Sequence, residues 1–264
     1  MDTMSIIIAA GAILAVSIAF SIVGLGGGVL YVPILLAFGM SMHNAAVTSL
    51  FVIAVMSISA AMIYHRRGTV DWKLVLVLEP PTAILAFAGG IVANYIDATT
   101  LIIIFAGMLF ISSILLISPI KDRQANIARG WSHWSRRAGD NTYVVHLRGL
   151  IPVFTVAGFV AGMIGISGGI FKLPAMVLIG RVPMRIAIGT SSFMVAITAI
   201  AGLLGHMTSG SFDILTALPL AAAAFIGGYI GSTLSTRVRV PILNKYVAVI
   251  LTLISIWMIV SIIT

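Results

Sequence analysis

Val23-Gly24-Leu25-Gly26-Gly27-Gly28-Val29-Leu30-Tyr31-Val32-Pro33 returns later in the chain as Ile164-Gly165-Ile166-Ser167-Gly168-Gly169-Ile170-Phe171-Lys172-Leu173-Pro174. The offset is 141 residues from Gly24 to Gly165 and again from Pro33 to Pro174. Each copy interrupts a long apolar run with backbone that carries little side chain. In hydrocarbon such a break is costly, because freed amides and carbonyls find no water there. Irregular backbone is tolerated at membrane depth only where it is buried in protein or lines a cavity. Two matching breaks predict the two walls of one central site.

Composition places the chain in lipid. It has 264 residues, 60% of them hydrophobic and only 8% charged. Soluble domains carry roughly 25% charged residues, so this chain cannot dress itself for water. Its apolar runs are long and do not alternate, which predicts an all-α integral membrane protein. The absence of cysteine excludes disulfides, thiol catalysis and thiolate metal sites. No metal and no cofactor is expected. The net charge of +8 is gathered in a few loops, which is a signal of membrane orientation rather than of nucleic acid. The run 5–23 lacks a basic leader and a small-residue cleavage site, so it is not read as a removable signal peptide.

The repeat extends beyond the breaks. Ala45-Ala46-Val47-Thr48-Ser49 matches Ala187-Ile188-Gly189-Thr190-Ser191, and Gly68-Thr69-Val70-Asp71 matches Gly210-Ser211-Phe212-Asp213, both at an offset of 142. Gly89-Gly90 matches Gly227-Gly228 at 138. Similarity in the same order along both halves indicates internal duplication. Three parts follow: a first membrane repeat at 1–120, a basic linker at 121–148 and a second membrane repeat at 149–264. The linker holds Trp131 and Trp134, and reads either as a stretch along the membrane interface or as a solvated basic loop.

Basic loops face the cytoplasm. Arg66, Arg67, Lys73 and the linker agree on one side. Arg181, Arg185, Arg237, Arg239 and Lys245 join them only if 149–180 enters the membrane and returns to the same side. The outer face then keeps Asp2, Asp97 and Asp213 with no Lys or Arg. Each glycine cluster is therefore expected at the tip of a hairpin with legs of about 15 and 11 residues, too short for two full crossings. Three spans follow each hairpin, so the halves are expected to be inverted and both termini to lie outside. Two full crossings per glycine region would give the same orientation. Opposed broken helices meeting at the midplane are a transporter arrangement.

A short helix starting after each tip would aim its amino end, with unpaired N–H groups, at the centre. Gly26, Gly27, Gly28, Ser167, Gly168 and Gly169 would let an oxyanion approach those amides. The alternative for the glycines is close helix packing. Lys172 costs roughly 2.5–3.5 kcal/mol at such depth, so it needs a reason. It is expected to be the counter-charge of the anion, the alternative being a lysine that snorkels to the interface. Thr48, Ser49, Thr190 and Ser191 supply hydroxyls that could donate to the anion or bond back to their own helices. Glu79, His65 and His206 are candidates for proton coupling. Glu79-Pro80-Pro81 also reads as a helix start with proline in its first turn, and that reading is preferred. For the histidines, interfacial caps are the preferred role.

With Gly24-Leu25-Gly26-Gly27-Gly28, Pro33, Ala45-Ala46, Thr48-Ser49 and the second copy with Thr190-Ser191, the chain resembles the TauE/SafE sulfite exporter family, also grouped as the TSUP transporters. The resemblance implies a bacterial inner-membrane transporter that moves sulfite, sulfoacetate or other organosulfonates, mostly outward. The partners expected are a small anion and the bilayer. No nucleotide-binding motif is present, so the energy would come from an ion gradient or from the solute's own. An enzyme reading competes. Gly165-Ile166-Ser167-Gly168-Gly169 fits G-x-S-x-G, and His206 follows on the next span, as in an intramembrane serine protease. The first copy has Gly26 where the second has Ser167, so duplication accounts for the motif and no enzyme is expected. A non-transporting membrane subunit is the third class.

Overall fold

A computed structural model describes the chain apart from residues 1, 27, 118–132, 139–140, 167, 210–211, 237–239 and 264. Its helices are α1 (Thr3–Val23), α2 (Gly28–Ala37), α3 (Met42–Arg66), α4 (Trp72–Ala93), α5 (Ala98–Ile117), α6 (Leu147–Ile164), α7 (Gly169–Leu178), α8 (Met184–His206), α9 (Ile214–Leu234) and α10 (Val240–Ile263). Strands β1 (His133–Ala138) and β2 (Asn141–His146) lie between α5 and α6. The molecule is thus an all-α membrane protein with one small hairpin. Among the described residues six helices, α1, α3, α4, α6, α8 and α9, are long and apolar enough to cross a bilayer.

The helix starts are written in short polar side chains. Asp2, Ser41, Asp71 and Asp213 each accept from a backbone N–H two or three residues on, satisfying a donor that the helix leaves free. Gly24 and Gly165 end α1 and α6 in the left-handed conformation, with φ of 74° and 80°. Asp71 overturns the reading of Glu79-Pro80-Pro81 as a helix start. The cap lies eight residues earlier, and α4 continues through both prolines to Ala93. The hairpin legs are also longer than expected. α1 has 21 residues and α6 has 18, because the caps sit farther out than the polar punctuation suggests. Only α2 and α7 are short, at 10 residues each. At 1.5 Å per residue each is about 15 Å long, half of the hydrocarbon thickness.

The principal helix contacts all cross from one half to the other. α1 packs on α9 and α6 on α4; α3 packs on α9 and α8 on α4; α3 meets α8, and α5 meets α10. Exchanging the halves returns the same set of pairs. Small residues make the approach possible, as is usual where lipid supplies no hydrophobic drive. A Cβ on Gly89 would run into Phe159 O of α6, and one on Gly231 into Ile18 O of α1. These two glycines therefore occupy equivalent places, which corrects the repeat here: the offset stays at 142, and Gly89 corresponds to Gly231 rather than to Gly227. Large apolar side chains such as Leu76, Ile84, Leu215 and Leu253 face outward, as lipid contact requires.

The described part of the linker is not irregular. Residues 133–138 and 141–146 form an antiparallel pair in which Trp134 faces Val145 and Arg136 faces Tyr143. The run Thr142-Tyr143-Val144-Val145 suits a strand. The hairpin is fastened to the helices at buried Asp71, which accepts from Arg136 Nη2 at 2.6 Å and Tyr143 Oη at 2.5 Å. Burial pushes the Asp71 carboxyl up, but the hydrogen bonds from Arg136 and Tyr143 outweigh it and hold the group below the ordinary carboxylate range.

Candidate functional site

The two breaks meet at the centre of the helix packing. A Cβ on Gly169 would lie 2.5 Å from Leu25 O, so the second break rests on the first. Each break is also cradled by the other half. Gly24 sits against Ile188 of α8, and Gly165 against Ala46 of α3. The close packing weighed as the alternative for these glycines is therefore present. Gly26 and Gly168 have φ of 82° and 68°, which turns the chain from the long leg into the short one. Gly28 opens α2 and Gly169 opens α7. Gly27 and Ser167 lie outside the described residues.

Hydroxyls line this junction. Ser191 Oγ donates to Gly24 O at 2.7 Å, tying α8 to the first break. Thr190 Oγ1 accepts from Asp71 N at 3.0 Å and so holds the start of α4. Thr48 and Ser49 are buried on α3. Ser49 Oγ has no hydrogen-bond partner among the described residues, although its counterpart Ser191 has two. A buried donor left open in this way is costly and calls for a ligand or water.

Lys172 is completely buried one turn into α7. Its Nζ lies 3.1 and 2.9 Å from the two oxygens of Glu79 on α4. It also donates to Thr198 Oγ1 on α8 and, at 3.5 Å, to Met194 O. Thr198 in turn donates to Glu79. The Phe154 ring of α6 lies 5.9 Å away. Nζ thus turns inward to Glu79, which removes the snorkelling alternative. Four helices converge on one ion pair, with Glu79 only 2% exposed. Thr198 and Phe154 are absent from the sequence reading, and nothing local marks them.

The first half builds a neutral version. Tyr31, the counterpart of Lys172, shares a 2.6 Å hydrogen bond with Ser17 and meets Met56 Sδ at 3.0 Å. Met56 stands where the second half has Thr198, at the offset of 142.

The two histidines are not brought to the ion pair. His65 is exposed, its ring edge-on to Trp72. His206 Nε2 bonds Gly162 O at 2.9 Å, eight residues or about 12 Å along α8 from Thr198. Beside the first break opens a cavity of about 540 Å³ lined by Tyr64, Arg67, Thr69, Arg185, Ile188 and Ser235 among others. Arg67 there donates to Ser232 O and Thr233 O, capping the end of α9. Ile188 also packs against Gly24, so it stands between this basic cavity and the break.

A family model described as Sulfite exporter TauE/SafE matches residues 8–258. The chain is 28% identical over 245 residues to the probable membrane transporter protein YunE of Bacillus subtilis, covering 89% of this chain and 90% of that one. It is 25% identical over 253 residues to the probable membrane transporter protein MJ0441 of Methanocaldococcus jannaschii, covering 89% and 87%. No solved structure matches it.

Proposed function

The chain belongs to the TauE/SafE sulfite exporter family, and from that premise we propose that it carries a small sulfur-containing anion, sulfite or an organosulfonate, outward across the bacterial plasma membrane. It is a multi-pass membrane transporter and not an enzyme. The anion binds where the two breaks meet, and the halves, related as inverted repeats, rock about it. Basic loops face the cytoplasm and both termini lie outside.

One observation carries this reading: a wholly buried lysine beside the second break whose charged partner is Glu79. A lone ammonium at that depth costs roughly 2.5–3.5 kcal/mol, so Lys172 must keep an acidic partner throughout the cycle. Glu79 serves when the site is empty, and the transported anion takes its place when loaded. Ser49 and the amino ends of α2 and α7 supply the remaining donors. Arg67 and Arg185 draw the anion to the cytoplasmic mouth.

A thermal-shift panel on the purified protein tests this, with sulfite, sulfoacetate, methanesulfonate, taurine, sulfate and carboxylates. Sulfite and the anionic sulfonates should raise Tm, by the equivalent of about 2.7 kcal/mol at a hundredfold excess over Kd. Lys172→Ala should abolish the response. A full response in that variant would show the site to be elsewhere. For orientation, cysteines at 148 and 181 should be labelled from the same side of the bilayer.

A further inference from the structure

We infer that Glu79 takes up a proton whenever Lys172 holds the anion, so that one proton crosses the membrane with each anion. This rests on the reading above that Lys172 is the counter-charge of the solute. An ammonium has three hydrogens, and those of Lys172 are directed to Glu79, Thr198 and Met194 O. An anion that replaces Glu79 as the counter-charge of Nζ requires Glu79 to withdraw.

The charge tally then decides what Glu79 becomes. Among the described residues Lys172 is the charged side chain that acts on it; Thr198 faces it from α8, and from α6 the uncharged Phe154 ring lies 5.9 Å from Lys172 Nζ. His206 on α8 is held by Gly162 O about two turns away. With Glu79 ionised and the site empty the cluster is neutral. Adding a monoanion alone leaves a net negative charge in a dry interior, and adding a proton alone leaves a net positive one. Either costs several kcal/mol, because a buried charge without its partner recovers little of its lost hydration. Proton and anion together restore neutrality. The two neutral states are the ones that can reorient.

Thr198 makes the protonated form viable. Its hydroxyl now donates to the carboxylate, and having two lone pairs it can accept from the neutral acid after a rotation. It is a positioning residue. The equivalent cluster in the other half, Tyr31 with Ser17 and Met56, holds no acid, so one proton and not two accompanies the anion. Movement of a monoanion with one proton is electroneutral. Membrane voltage does not drive it, and a pH gradient of one unit balances a tenfold anion gradient. Outward flow then begins only when the anion has accumulated inside beyond that ratio.

The experiment uses the full chain in proteoliposomes with a trapped pH dye and methanesulfonate, which stays ionised throughout the range. An outward methanesulfonate gradient should make the lumen alkaline by one proton per anion, with the same ratio when potassium and valinomycin clamp the voltage. In binding measurements the wild type should lose affinity about tenfold per pH unit above the Glu79 transition, and Glu79→Gln should flatten that slope. Labelled counterflow with no proton signal overturns this inference and leaves the anion reading standing. A tenfold slope that survives in Glu79→Gln overturns it too. If neither methanesulfonate nor sulfoacetate is exchanged by the wild type, both fall together. The proton-to-anion ratio of the wild type decides the matter even where Glu79→Gln does not fold.

Discussion

Residues 31 and 172 occupy the same place in the two halves, one turn into a short helix beside a glycine break, yet they are built into opposite chemistry. Tyr31 closes its site with an uncharged hydroxyl network, and Lys172 closes its own with a buried ion pair. A similar divergence separates Asp71 from Asp213. Both cap the fourth helix of their half, but Asp71 also fastens the hairpin through Arg136 and Tyr143, while Asp213 is exposed and among the described residues bonds to its own helix. The two halves share a frame, and among the described residues the buried charge at this place stands in one of them.

The comparison can be broken most forcefully at the ion pair. Lys172→Met strands Glu79 and should cost about 3–5 kcal/mol, read from chemical unfolding in detergent. Adding Glu79→Leu should restore most of it, which a merely steric role for Lys172 would not allow. At the hairpin, Asp71→Asn should cost about 1.5–3 kcal/mol, because it removes charge-assisted bonds from a buried position. Asp213→Asn should produce a smaller change in Tm. The pH sign follows from the lowered Asp71 value. Its contribution is complete above the unfolded-chain value of about 3.9 and is lost as pH falls through the lower folded value. Proteolysis of the hairpin should therefore accelerate in that acid range. Gly169→Ala drives a Cβ onto Leu25 O and should cost about 1–3 kcal/mol, whereas Gly11→Ala meets open space and should be neutral or better. Tyr31→Phe should cost about 1 kcal/mol, the worth of a neutral hydrogen bond.

The sequence carries the frame legibly because the features that set it are local or repeated. Glycine clusters, their repetition in the same order and apolar length mark the helices wherever they fall. Lys172 draws notice for its depth alone. Its partner does not, since Glu79 is 93 positions away and its neighbouring prolines mimic a helix start. A cap at Asp71 in register with the whole apolar run overrides that local signal. Thr198 stays hidden because a threonine in a membrane helix usually bonds to its own backbone, and its counterpart Met56 is apolar. The repeat of paired glycines misleads by one helical turn, since Gly227 and Gly231 both face α1 and composition cannot say which one matches Gly89. The strand pair of the linker has too little length and contrast to stand out amid basic residues.

That the principal helix contacts run between the halves has a further consequence. Each half completes most of its interior against the other, so a fragment ending before the hairpin should be unable to fold by itself and should be rescued by the complementary fragment made beside it. The ancestor of such a chain would have been a single half that could exist only as a pair.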